Sequence, residues 1–154
     1  MIRDDIIAHV ARRPPDFVIG GAERPYLERW FVIPRNRWFN IYLHHFLRSD
    51  DDRALHDHPW VSLSLILRGE YAEHTIAAGG IHRRRVLRAG QWLFRPTGRY
   101  AHRIELHAGP CWTLFITGPR YREWGFHCAE RGWVHWRAFT ASDDAGAIGK
   151  GCDA

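Results

Sequence analysis

The hydrophobic positions change period once along this chain. Asp4 or Asp5 can cap a short helix over Ile6 to Arg12, which Pro14-Pro15 stop. Beyond the prolines the apolar residues come in short runs with period two, the spacing of strands. The runs are Tyr26 to Ile33, Phe39 to Leu47, Trp60 to Leu67, Glu70 to Ile76, Arg84 to Leu87, Gln91 to Phe94, Tyr100 to Leu106 and Cys111 to Thr117. Between them fall Gly69, Gly79-Gly80, Gly90, Pro96, Gly98, Gly109-Pro110 and Gly118-Pro119. Many short strands punctuated by glycine and proline predict an all-β sandwich or closed barrel. Trp124-Gly125-Phe126 and Trp133 to Phe139 read as one or two further strands, a hairpin if two, packing aromatics on the barrel. The small, polar, glycine-rich stretch that follows reads as a flexible tail. The expected organisation is one domain over 1–140 and a tail over 141–154, with no internal repeat.

Composition narrows this. At 154 residues the chain is long enough for one real core. Apolar residues make up 45%, which argues against disorder, and aromatics reach 14%, which favours an aromatic-lined interior. The net charge is +5, and Lys150 is the only lysine. The arginines are spread along the chain, with Arg83-Arg84-Arg85 the one short run, so nucleic acid is not the expected partner. An anionic small molecule suits the same charge. Cys111, Cys128 and Cys152 are odd in number and widely spaced, which gives neither a disulfide framework nor a C-x-x-C site. The first residues lack the basic start and apolar run of a signal peptide, and no stretch reaches membrane-span length. The expectation is a cytoplasmic protein with no membrane partner.

The candidate chemistry centres on Arg53-Ala54-Leu55-His56-Asp57-His58-Pro59-Trp60, at the mouth of an apolar strand. Side chains alternate faces along a strand, so His56 and His58 point the same way and offer a pair of imidazole ligands. A third candidate, His102, follows Gly90-Gln91-Trp92-Leu93-Phe94-Arg95-Pro96-Thr97-Gly98.

These residues resemble the paired motifs of the cupins, small double-sheet jelly-roll barrels. The first motif, G-x5-H-x-H-x3,4-E-x6-G, is met by His56, His58 and Gly69, with Ser62 at the glutamate position and Asp50-Asp51-Asp52 where the leading glycine would stand. The second, G-x5-P-x-G-x2-H-x3-N, is met by Gly90, Pro96 and Gly98, with His102 one residue late and Leu106 near the asparagine. The likeness spans residues 56 to 102 and leaves out the first fifty. It implies a single-domain cupin jelly roll with a short N-terminal helix. Because Ser62 replaces the glutamate, the implied metal set is His56, His58 and His102. Neutral imidazoles leave a divalent ion its full charge and open positions. The set is similar to that of thiol-dioxygenase cupins, which carry non-haem Fe(II); Zn, Ni or Mn would also suit it.

Alternation assigns the neighbours. Tyr42, His44 and Phe46 share one face of their strand, and Ile41, Leu43, His45 and Leu47 the other. The first face mixes rings with polar tips, as a pocket wall does, so Tyr42 and His44 are candidate catalytic residues. Tyr100 shares parity with His102 and is the third. Trp60 and Ser64 share parity with the ligands, and Asp57 points away from them. Glu73 and His74 could join a site but read first as part of a solvated face, and Arg95 reads as a surface arginine with a lesser claim as an anion anchor. His107, His127 and His135 match no ligand spacing.

The expected function is a metal-binding cupin acting on a small anionic molecule, with a non-haem iron dioxygenase as the enzymatic form. Two other classes stand beside it: a non-catalytic binding or sensing cupin, and a metal-free sugar-phosphate isomerase or epimerase. By analogy with cupins, a homodimer is expected.

Overall fold

The computed structural model describes residues 2–20, 23–50, 54–143 and 147–153. A helix, α1 (Ile2–Val10), leads into twelve strands: β1 (Phe17–Ile19), β2 (Leu27–Phe31), β3 (Asn40–Phe46), β4 (Leu55–His56), β5 (Ser62–Arg68), β6 (Glu70–Ala77), β7 (Ile81–Arg88), β8 (Trp92–Arg95), β9 (Arg103–Glu105), β10 (Cys111–Thr117), β11 (Gly125–Cys128) and β12 (Gly132–His135). A short helix, α2 (Trp136–Phe139), follows. The chain is mostly β, as the period-two runs predict, and no described helix is long and apolar enough to cross a membrane.

One face of the sandwich is a six-stranded sheet in the order β1-β2-β3-β10-β5-β8. The other consists of two three-stranded sheets, β12-β11-β4 and β7-β6-β9. The seam between these two is closed by an antiparallel bridge from His56 to His102, each backbone N–H donating to the other's carbonyl at 2.9 Å. Two of the three candidate ligands therefore form the seam itself.

Strand alternation decides what enters the interior. In β10, Cys111, Thr113, Phe115 and Thr117 are buried and face inward. Trp112 and Leu114 point outward, yet they are covered as well, because Ile7 of α1 packs with Trp30, Leu43 and Leu67 on the outer face of the sheet. Leu27, Phe46, Ile66, Tyr71, Leu87, Leu93, Ile104 and Cys111 fill one end of the interior. Leu27, Phe46, Tyr71 and Ile104 of this cluster also line the cavity that holds the site.

The structure departs from the sequence reading at three places. The helix spans Ile2–Val10 rather than Ile6 to Arg12, so Asp4 and Asp5 lie inside its first turn, where carboxylates favour the helix dipole. The stretch Trp133 to Phe139 is strand only as far as His135. The imidazole of His135 accepts the backbone N–H of Arg137 at 3.3 Å and turns the chain into α2, which stacks Trp136 on Trp124 and Phe139 on Phe126. Third, Cys128 and Cys152 form a disulfide. A separation of 24 residues gives no sequence signal for this pairing, and the bridge removes the cysteine argument for a reducing cytoplasm. Of the expected tail, residues 147–153 are held against the barrel by that bond, by a bridge from Thr140 to Ile148, and by the Gly149 N–H donating to the Phe139 carbonyl at 3.0 Å.

Candidate metal centre

His56 ends β4, His58 lies two residues on, and His102 stands across the seam. Their rings form a triangle with centroid separations of 5.2 Å (56–58), 4.9 Å (56–102) and 5.1 Å (58–102). One ring nitrogen from each lies within 4.8 Å of the others, and the Nε2 atoms of His58 and His102 are 2.8 Å apart. Two imidazoles reach that distance by sharing a proton or by sharing an ion.

The surroundings disfavour the charged form of His56 and His58. Burial lowers His56 to about 4 against the opposing pull of Asp50, and lowers His58 well below its ordinary value. His102 is oriented from behind: its Nδ1 lies 2.5 Å from Glu73 Oε1, which leaves Nε2 to face the cluster. Glu73 also takes the guanidinium of Arg95 and, at 3.2 Å, the hydroxyl of Tyr100. Burial by itself would raise the Glu73 carboxyl, but the hydrogen bond from His102 and the charges of His102 and Arg95 hold it at about 2. Arg95 in turn donates to Ser64 Oγ at 2.9 Å.

Glu73 and Arg95 correct the sequence reading. Each is 1% exposed, so neither belongs to a solvated surface, and Arg95 is not an anion anchor because Glu73 already occupies it. His74 is buried too, on the opposite face of β6, between His82 and Glu105.

Asp57 points away from the ligands, as its parity predicts. It accepts from Gly125 N–H (2.9 Å), Arg122 (3.0 Å), Trp133 Nε1 (3.1 Å) and His127 (3.2 Å), and so ties the His-x-His turn to the β11–β12 hairpin. The turn is fixed from the other side by Gly98. His58 N–H donates to the Gly98 carbonyl at 2.8 Å, and a Cβ on Gly98 would come within 2.2 Å of the His58 carbonyl oxygen. Only a glycine allows this approach.

The three histidines open onto a cavity of about 380 Å³. Its wall is largely apolar and aromatic, including Phe46, Trp60, Phe115, Trp124, Phe126 and Trp136. Ala147 and Ile148, from the disulfide-tethered segment, complete one side. His44, Trp60 and Ser64 line it as alternation predicts. His45 faces the other way, stacked on Trp112 and bonded to Glu28 at 2.9 Å. Tyr42 and Tyr100 are not among the lining side chains. Tyr42 is buried behind the wall against Phe31, His44 and Phe115, and Tyr100 contacts Glu73 from outside. Ser62, at the motif's glutamate position, is buried on the face of β5 that carries Ser64. Its hydroxyl has no partner among the described residues.

No protein-family model matches the sequence, and no curated protein matches it. Solved structures do. The DMSP lyase DddQ from Ruegeria pomeroyi DSS-3 aligns with a TM-score of 0.53 and 24% identity, over 76% of this chain and 61% of the lyase. A cupin superfamily protein from Desulfitobacterium hafniense DCB-2 aligns at 0.50 and 19%, over 64% of this chain and 83% of that one. Fe(II)-HppE with an alternative substrate, (S)-1-HPP, aligns at 0.52 and 15%, over 70% of this chain and 57% of that one. This chain thus spans less than two thirds of the lyase and of HppE. The fold is the cupin fold, and at these identities the likeness is one of fold.

Proposed function

We propose that the protein is a metal-dependent cupin that binds one divalent ion through His56, His58 and His102 and acts on a small anionic molecule, as a non-haem iron(II) dioxygenase. The observation that supports this most is the convergence of three imidazoles on a mostly apolar cavity, with His102 held by a buried carboxylate. A bound ion would supply a Lewis-acidic centre with open positions and, as iron(II), the capacity to activate dioxygen. The chain's own residues do the rest. Glu73 keeps the His102 lone pair aimed at the cluster, Asp57 and Gly98 fix the turn that carries His56 and His58, and the aromatic wall excludes water.

The test is elemental analysis of protein purified without added metal, with an anaerobic iron(II) titration and with zinc, nickel and manganese in parallel. One ion per chain is expected, falling sharply in His58→Ala and His102→Ala while both stay folded. Full occupancy in His102→Ala would overturn the assignment. Iron-loaded protein should then consume dioxygen with a substrate drawn from thiols and small carboxylates. Binding without turnover in a metal-replete sample would make this a sensing module, and metal-independent turnover of a sugar phosphate would make it an isomerase.

A further inference from the structure

Three arginines line the cavity, Arg29, Arg48 and Arg95. Arg29 of β2 lines the cavity and stands directly opposite His44 of β3 in the sheet register. Its Nε donates to His44 Nε2 at 2.8 Å, and its Cζ lies 5.0 Å from the centroid of the Tyr42 ring. Among the described residues no Asp or Glu forms an ion pair with it. The other two arginines of the wall are engaged differently: Arg95 is paired with Glu73, and Arg48 donates through Nε and Nη2 to the Arg24 carbonyl. Asp50 accepts the Ile104 N–H at 2.7 Å and lies 3.9 Å from His56.

The arrangement around Arg29 gives it a direction. Hydrogen bonding Nε to His44 leaves both terminal nitrogens, which have no partner among the described residues, as a planar two-pronged donor. Burial pushes the guanidinium down to about 10, so it stays cationic at neutral pH. It keeps His44 neutral as well: burial first, and then the adjacent Arg29 charge, hold the imidazole well below its ordinary range. His44 is therefore an acceptor that positions the cation. A partly buried cation without a counter-charge among the described residues is costly, and a planar carboxylate meets an arginine fork with two parallel hydrogen bonds. One unit of positive charge matches one carboxylate better than it matches a doubly charged phosphate.

We infer that Arg29, positioned by His44, is the carboxylate-binding residue of the cavity, and that the ligand is a small monocarboxylate whose apolar body runs past Phe115 toward the three histidines. The Phe115 ring centroid lies 5.2 Å from that of His44 and 6.0 Å from that of His58, so one aromatic ring separates the anion site from the candidate metal centre. The inference deepens the proposed function and rests on that reading for the role of the far end of the ligand. It does not need the metal for the carboxylate itself.

The test uses the full chain, stripped with chelator and, separately, loaded with zinc. Binding of linear carboxylates from butanoate to decanoate is followed by tryptophan fluorescence, since Trp60, Trp124 and Trp136 line the cavity, and by calorimetry, each acid against its amide. The best acid should bind at least about tenfold more tightly than its amide, as expected for hydrogen bonds to a charged group. Arg29→Met should abolish that preference while leaving amide binding and zinc content unchanged, and Arg29→Lys should retain part of it. Circular dichroism checks that both variants fold. A preference that survives in Arg29→Met, a parent protein without preference, or the absence of saturable binding across the series would each overturn the inference. If zinc fails to bind but the Arg29-dependent preference persists, the metal reading falls and the carboxylate site stands.

Discussion

Glu73→Gln isolates charge from shape. The replacement is isosteric, so what changes is the counter-charge for Arg95 and the acceptor for His102 Nδ1. Arg95 is 1% exposed, and removing one member of a buried ion pair costs about 3–5 kcal/mol. At ~2–4 °C per kcal/mol for a chain of this size, the melting midpoint should fall by ~6–20 °C. Arg95→Met should also destabilise, by less, because the buried carboxylate loses its cation but keeps His102 and Tyr100. The double variant should recover most of the loss, because no unpaired charge remains inside. Metal affinity should behave differently. Losing the carboxylate behind a ligating histidine typically weakens binding ~10–100-fold, and Arg95→Met offers nothing in its place. Differential scanning calorimetry of metal-free protein and a competition titration with zinc therefore separate the two roles. A Glu73→Gln midpoint within a degree or two of the parent's, or metal affinity restored along with stability in the double variant, would refute the reasoning.

Ser62→Glu should melt lower than the parent without metal, because it buries a carboxylate, and should bind zinc more tightly if position 62 faces the cluster; parallel melting curves with and without zinc decide it. His44→Ala should weaken carboxylate binding several-fold and leave zinc content unchanged, whereas Tyr42→Phe, behind the wall, should affect neither; titration of both variants beside the parent checks this. Cys111 is fully buried, and burial pushes its thiol up to about 12, so it should not react with a disulfide reagent in the native state. Without reductant the unfolded chain should then release one thiol equivalent, and three after reduction; two or more without reductant would argue against the Cys128–Cys152 bridge.

How much of this was legible depended on whether a signal was local. The alternation in Asn40–Phe46 is a property of that strand alone, and it put His44 and His45 on opposite faces; that this strand pairs with Cys111–Thr117 is not visible in either stretch. His56-x-His58 and Gly98 to His102 are each local spacings, and the likeness to two cupin motifs joined them into one set of candidate ligands. Glu73 and Arg95 were hidden because each is acceptable inside only in the presence of the other, and they lie 22 residues apart. Around Arg95 the local signal even misleads. Trp92 and Phe94 invite burial, yet they are 63% and 53% exposed, while Leu93 and Arg95 turn inward. For Glu73, its parity with the buried Tyr71 was the available clue. Tyr100 shares parity with His102 and its ring centroid lies 6.2 Å from that of the histidine, but its hydroxyl meets Glu73, since parity gives a direction and not a depth. Arg29 had no signal of its own; its partner, His44, comes from a different strand.

The contact between Gly98 and His58 has a consequence for how such a chain can diverge. The two motifs read as separate signatures, but the glycine of the second exists to clear the carbonyl of a histidine in the first, 2.2 Å from where a Cβ would stand. The contact constrains position 98, because it is made to the backbone of residue 58 and not to its side chain. A lineage that abandoned the metal and replaced His58 would still need glycine at 98 while the turn kept its path. A lineage that lost the glycine would displace the histidine before any change at position 58 itself. Among descendants of this fold, retention of the glycine therefore reports the path of the backbone, and retention of the histidine reports the chemistry.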